Sequence, residues 1–215
     1  MLSTELTVLY ADAALLVLDK PAGLLAVPGL GADKQDCLSA RAQAHYPDAL
    51  ITHRLDQATS GLMLMARGAD ANRKLSAAFA SRSVGKRYLA VVEGILAAPD
   101  DEWGVIDLPI SLDWPNRPRR IIDQQNGKPS VTRWRVLSHD EAKQTTRLAL
   151  EPLTGRSHQL RVHLQALGHA IIGDTLYGRQ PTSGPAGRML LHAESLELQH
   201  PVSGEVLRFV SDTPF

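Results

Sequence analysis

Most apolar residues of this sequence lie in short strand-like runs separated by turn residues, not in helical periodicities, and this restricts the fold more than any other feature. Leu6–Tyr10 and Ala14–Leu18 read as two strands around a turn at Ala11–Ala13. Lys20–Gly29, KPAGLLAVPG, holds two prolines and two glycines and reads as a loop. Gly61–Ala66 reads as a buried strand, and Arg87–Glu93, Val105–Ile110, Val131–Leu137 and Thr145–Leu150 as further strands. DWPNRP, Asp113–Pro118, is a rigid loop, and Leu190–Leu198 with Glu205–Val210 form a hairpin around Pro201–Gly204. Three helices are predicted. The first covers Cys37–His45, capped by Asp36 and stopped by Pro47. The second covers Ala69–Ala80, with Leu75 and Phe79 inward, and the third covers Ser157–Leu167, ended by Gly168. Strands with few, scattered helices predict an α+β fold built on a largely antiparallel, mixed β-sheet, not an alternating doubly wound one.

A chain of 215 residues can bury a sizeable core, and it is expected to form a single domain over residues 1–215. No apolar run approaches the roughly 18–20 residues of a membrane helix. Met1–Tyr10 lacks the basic patch and apolar block of a signal peptide. The single cysteine, Cys37, excludes an internal disulfide and reads as a small buried residue, which favours a reducing cytoplasm. Net charge is zero, 23 basic against 23 acidic residues, which taken alone argues weakly against a nucleic-acid partner. The distribution says more. Ala66–Ala90 holds six basic residues (Arg67, Arg73, Lys74, Arg82, Lys86 and Arg87) against Asp70, and Arg117, Arg119 and Arg120 form a second cluster. Both clusters read equally as solvated faces or as phosphate contacts.

Four stretches concentrate chemistry. HRLDQATSGLMLMA, His53–Ala66, sets Arg54 and Asp56 before Thr59, Ser60 and Gly61 at the mouth of the buried strand. Packing of Leu62 and Leu64 would fix Asp56 at its rim. KRYLAVVEG, Lys86–Gly94, places Tyr88 at a strand start, and LTGRSHQLRVHLQALGH, Leu153–His169, sets Arg156 just ahead of a helix. The fourth is LLHAESL, Leu190–Leu196. Singly, each has an ordinary structural reading as a turn cap, a core tyrosine or a surface arginine. Five of the eight histidines (His53, His158, His163, His169 and His192) fall in or beside these stretches, but there is no HExxH and no paired cysteine, so no metal site is expected.

Together, HRLDQATSG, the preceding KPAGLLAVPG and the following TGRSHQLRVH and LLHA resemble the RluA family of pseudouridine synthases, from about Leu6 to Phe209. The resemblance implies the pseudouridine synthase catalytic fold, an isomerase that converts selected uridines of RNA without a cofactor, and RNA as partner. Many members carry an N-terminal S4 RNA-binding domain. This chain reaches KPAGLL by Lys20, so none is expected, and with DWPNRP it resembles the compact branch that modifies both 23S ribosomal RNA and a tRNA anticodon stem-loop. No amphipathic stretch is left over, so a monomer is expected. Asp56 matches the family's catalytic aspartate, as nucleophile or as base. A carboxylate in a water-poor pocket resists ionisation, and Arg156, at the matching arginine position, is the candidate to offset this. Tyr88 matches the tyrosine that lies against the uracil, and Leu191 lines the pocket. A stacked uridine must be flipped out, at a cost of a few kcal/mol. The matching arginine, Arg54, enters the vacated space, and His53, Thr59 and Leu191 are expected with it as RNA-binding and base-flipping residues. Arg82, Lys86, Arg117 and Arg119 are the candidate phosphate contacts. The rival readings are a catalytically idle RNA-binding module on the same fold and a nucleoside or sugar hydrolase, which would need a second carboxylate near Asp56.

Overall fold

The computed structural model describes residues 5–178 and 187–215, so the first four residues of Met1–Tyr10 lie outside the described residues. In chain order the elements are β1 (Thr7–Ala11), β2 (Leu15–Lys20), α1 (Leu38–His45), β3 (Ala49–Ile51), β4 (Ser60–Arg67), α2 (Ala69–Ala80), β5 (Gly85–Glu93), β6 (Gly104–Asp107), β7 (Ile110–Leu112) and β8 (Arg120–Ile122). They continue as β9 (Val131–Asp140), β10 (Thr145–Pro152), α3 (Gln159–Ala166), β11 (Leu191–Gln199) and β12 (Val206–Val210), with one 3-10 turn at Ala32–Lys34. The fold is α+β. The chain forms two compact units, one of Met1–Lys86 with Ala193–Pro214, the other of Arg87–His192 with Phe215.

In the first unit β2 pairs antiparallel with β1 and with β4, β3 pairs with β4, and β12 with β11. β4 has neighbours on both edges and α2 among its packing partners. Leu62, Met63, Leu64, Met65 and Ala66 are therefore fully buried, and the run is continuously apolar instead of alternating. Leu15, Val17, Leu62, Leu64, Leu75 and Leu196 form the centre of this core. On α2, Ala71 and Leu75 are buried and Phe79 packs against the cluster, as its periodicity predicts. Gly61 sits at φ +105°, and a Cβ there would collide with the backbone of Ala193. The glycine of the TSG turn thus meets both a backbone and a space requirement.

The cap of α1 differs from expectation. Cys37 is the N-cap, and its Sγ accepts the Ala40 N–H at 3.4 Å. Asp36 instead takes the fork of Arg41 with two bonds of 2.7 Å, a geometry that a guanidinium matches better than a helix end does. Cys37 is fully buried, as expected.

In the second unit β10 pairs antiparallel with β5 and β9, and β6 pairs with β9. The strand expected over Val105–Ile110 is two strands. β6 ends at Asp107, and β7 leaves to form a separate two-stranded ribbon with β8. Pro109, between them, has no N–H to donate, while Leu108 and Ile110 donate to the carbonyls of Ser130 and Lys128. α3 begins at Gln159, two residues later than expected, because His158 takes a left-handed conformation at φ 58°. It ends at Ala166, one residue before the expected end, with Leu167 as its C-cap and Gly168 following at φ +84°. β9 and β10 run on to Asp140 and Pro152. Among the described residues, no helix is long and apolar enough to cross a membrane.

Candidate active site

The HRLD turn is built onto β4 by side chains. β3 stops at Ile51, opposite Met65. The next pair is completed by Thr52 and His53: Thr52 Oγ1 donates to the Leu64 carbonyl at 2.7 Å, and the Leu64 N–H donates to His53 Nε2 at 2.9 Å. An Nε2 that accepts leaves the proton on Nδ1, so the ring is neutral. It stacks on Phe79 at 4.4 Å between centroids. Burial, and then the neighbouring Lys86, push its pKa down to about 3. Lys86 lies 5.9 Å from the Phe79 centroid, and burial lowers its pKa as well. This geometry makes His53 a brace of the turn.

Beyond it, Arg54 is exposed, Leu55 buried and Asp56 half-buried, and Thr59 and Ser60 are buried where the chain enters β4. The Thr59 N–H donates to the Asp56 carbonyl at 3.1 Å, closing the turn. The KPAGLL loop grips the next residue. The Gly23 N–H donates to the Gln57 carbonyl at 2.8 Å, and Gln57 Nε2 donates to the Gly23 carbonyl at 2.9 Å. Lys20, fully buried, donates from Nζ to the carbonyls of Leu24 (2.7 Å), Pro21 (2.9 Å) and Gln57 (3.1 Å). Sequence reasoning missed this residue. Its one signal was a lysine closing the apolar run LLVLD just before a proline.

The second unit carries Tyr88, Arg156 and Leu191. Tyr88 is half-buried on β5 opposite Leu150, and Leu191, buried, opens β11. Arg156 is exposed, but its backbone is fixed by Gln159, whose Oε1 accepts from the Arg156 N–H at 3.0 Å and from Thr154 Oγ1 at 2.7 Å. Gln159 Nε2 donates to Val131 O and Thr132 Oγ1, both at 3.0 Å, so this buried amide ties the loop to β9. Arg161 and Asp174 form a buried two-bond pair at 2.7 Å, with the Tyr177 ring 5.0 Å from the guanidinium. The Tyr177 hydroxyl accepts the Arg120 N–H at 2.7 Å and shares a bond of 2.8 Å with His158 Nδ1.

The histidines serve this framework. His163 Nε2 donates to the Leu108 carbonyl and Nδ1 meets Thr132 Oγ1, and burial lowers its pKa. His169 Nδ1 donates to the Glu93 carbonyl. Among the described residues, no group of three or more His, Cys, Asp or Glu is placed to hold a metal ion.

Much of the Ala66–Ala90 basic run is engaged within the protein. Arg67 pairs with Asp48, Arg73 with Asp70 and Arg87 with Glu151, and Lys74 Nζ donates to the Pro201 carbonyl. Arg82 is exposed at φ 63° in the turn after α2. In the second cluster Arg117 is exposed over the Trp114 ring and Arg119 lies over Tyr177.

Comparison with solved structures places this fold in a class. Human RNA Pseudouridylate Synthase Domain Containing 1 superposes with a TM-score of 0.76 at 30% identity, over 99% of this chain and 86% of that one. Human RNA Pseudouridylate Synthase Domain Containing 4 gives 0.74 at 26%, over 97% and 88%. Residues 14–166 match the family described as RNA pseudouridylate synthase. The chain is 43% identical over 210 residues to the dual-specificity RNA pseudouridine synthase RluA of Escherichia coli (strain K12), covering 98% of this chain and 94% of that protein. It is 43% identical over 208 residues to the protein of the same name from Yersinia pestis, covering 97% and 99%. The chain belongs to the RNA pseudouridine synthase family.

Proposed function

We propose that this RNA pseudouridine synthase uses Asp56 as its reacting carboxylate on uridines of two structured RNAs, a 23S ribosomal RNA site and a tRNA anticodon stem-loop. The observation that carries this is the turn around Asp56. Its flanks are held by His53 on β4, by the Thr59 bond and by the grip of Lys20 and Gly23 on Gln57, while its own side chain is half-buried at the strand mouth. A carboxylate on so fixed a support is preorganised for one position of the ribose or base. The reaction breaks the bond between C1′ and uracil N1, turns the base, forms the bond from C1′ to C5, releases the C5 proton to solvent and protonates N1, with no net gain or loss of atoms, no oxidation and no co-reactant.

The remaining roles rest on the motif match. By that match Arg156 is the arginine of the catalytic set, Tyr88 the tyrosine that lies against the uracil and assists the C5 proton transfer, and Leu191 the residue that packs the base. Arg54, exposed and two residues from Asp56, fills the space left by the flipped uridine, since a planar guanidinium stacks on bases and bonds their edges. Thr59 supports that turn, and Arg82, Lys86, Arg117 and Arg119 are the phosphate contacts. The two-RNA substrate range is supported by the dual-specificity names of the bacterial relatives. A monomer acting in the cytoplasm completes the reading. The test is to map pseudouridines in total RNA from cells with and without the gene. Loss of one ribosomal and one tRNA site on deletion is expected, and loss of neither overturns the substrate assignment.

A further inference from the structure

The β7–β8 ribbon ends in a loop that the chemistry at Asp56 does not use. Trp114 stands at its tip with 66% of its surface exposed, and the guanidinium of Arg117 lies 5.0 Å from the ring centroid. The loop is stiff. Asp113 and Arg119 close it (N–H to carbonyl, 3.1 Å), Asn116 and Arg119 donate backbone N–H groups to Asp113 and Asn116, and Asn116 Nδ2 donates to both Asp113 carboxylate oxygens. Pro115 and Pro118 fix two further backbone angles. The ribbon is rooted in its unit. Ile110 is buried with Val162 and Tyr177, Ile122 packs on them, and the Arg120 N–H is held by the Tyr177 hydroxyl. A rigid stalk therefore presents a large indole to solvent, stacked by one cation and accompanied by Arg119 and Arg120 against a single acid, Asp113.

From this geometry we infer that the ribbon tip is a second RNA-recognition element, on which an unpaired base of the substrate stacks against Trp114 while Arg117 engages the adjoining backbone. The inference rests on the RNA-modifying reading and adds the part of the RNA that is read. Base–aromatic stacking suits this ring because every base has a π-face. A guanidinium beside the ring contributes both stacking and charge. The surplus of arginine over acid at the tip complements a polyanion, whereas a protein partner would be expected to meet an apolar patch wider than one ring.

The test uses the full chain and a folded stem-loop that it converts. The dissociation constant is measured at fixed salt for wild type, Trp114→Ala and Trp114→Phe, with each loop nucleotide in turn replaced by an abasic site. Trp114→Ala should weaken binding about tenfold, and Trp114→Phe, which keeps a stacking face, by no more than about threefold. At one loop position the abasic RNA should lower wild-type affinity to the Trp114→Ala level and cost that variant nothing more. RNA should also quench a tryptophan signal in wild type that Trp114→Phe lacks, which gives a readout even if Trp114→Ala folds poorly. Unchanged affinity in Trp114→Ala with equal quenching in Trp114→Phe overturns the inference, as does a Trp114-dependent self-association with RNA affinity intact. Pseudouridine formation by wild type in the same tubes separates this outcome from failure of the underlying reading, in which no RNA is converted.

Discussion

Acid should loosen the turn that carries Asp56, and His53 is the group through which it acts. In the folded protein the ring accepts the Leu64 N–H, and its pKa is pushed down to about 3 by burial and by Lys86. In the unfolded chain it titrates near 6.5. Between these values the unfolded chain binds a proton that the folded protein excludes, so stability falls as pH drops through that window. At pH 5 the loss is about 2 kcal/mol, from about 1.4 kcal/mol per unit over the roughly 1.5 units below 6.5, with solvent screening of the partly exposed ring bringing it lower. For a protein of this size, that is a Tm decrease of roughly 4–8 °C. His163, also lowered by burial, adds a fall of the same sign. The assay is therefore a difference, with Tm followed from pH 7.5 to 5 in wild type and in His53→Gln, which offers an acceptor to Leu64 but does not titrate. The variant should start lower, because the stack on Phe79 is lost, and should fall by several degrees less. Parallel curves would refute the reasoning.

Lys20→Met should leave the carbonyls of Leu24, Pro21 and Gln57 short of a donor, lowering stability by about 2–3 kcal/mol in urea titrations and slowing turnover through the displaced turn. Unchanged stability would remove Lys20 as its brace. Asp174→Asn breaks a buried pair and should cost about 3–5 kcal/mol, whereas Asp174→Leu with Arg161→Met together should cost less than the single change, as read by the same titrations. Arg54→Ala should slow single-turnover reaction on a folded stem-loop far more than on a loose strand of the same sequence, because only the stacked target needs the flipped base replaced. Equal losses would make Arg54 a support of the turn.

The elements that were legible in the sequence are those whose signal is periodic or punctuated. α2 repeats its apolar residues on one face, the β11–β12 hairpin is bracketed by Pro201 and Gly204, and β4 is a continuous apolar run. The candidate site was legible as a set of motifs. Bonds from side chain to backbone were not, because they depend on partners distant in sequence. Lys20 and Gln57 lie 37 residues apart, and His53 meets Leu64 across the turn. Asp36 does not cap α1 because it has a better partner in Arg41, and Val105–Ile110 alternates well enough to look like one strand although the chain breaks at Pro109.

The central claim is tested most directly by release of tritium from uridine labelled at C5 in a folded stem-loop, comparing wild type with Asp56→Asn. The substitution keeps the size of the side chain and removes the charge that the chemistry uses. Wild type should release tritium in step with pseudouridine formation, in the absence of any added cofactor. Asp56→Asn should melt and bind the RNA like wild type and show turnover at background, and a residual rate within about tenfold of wild type, a barrier change of only about 1.4 kcal/mol, would contradict the account.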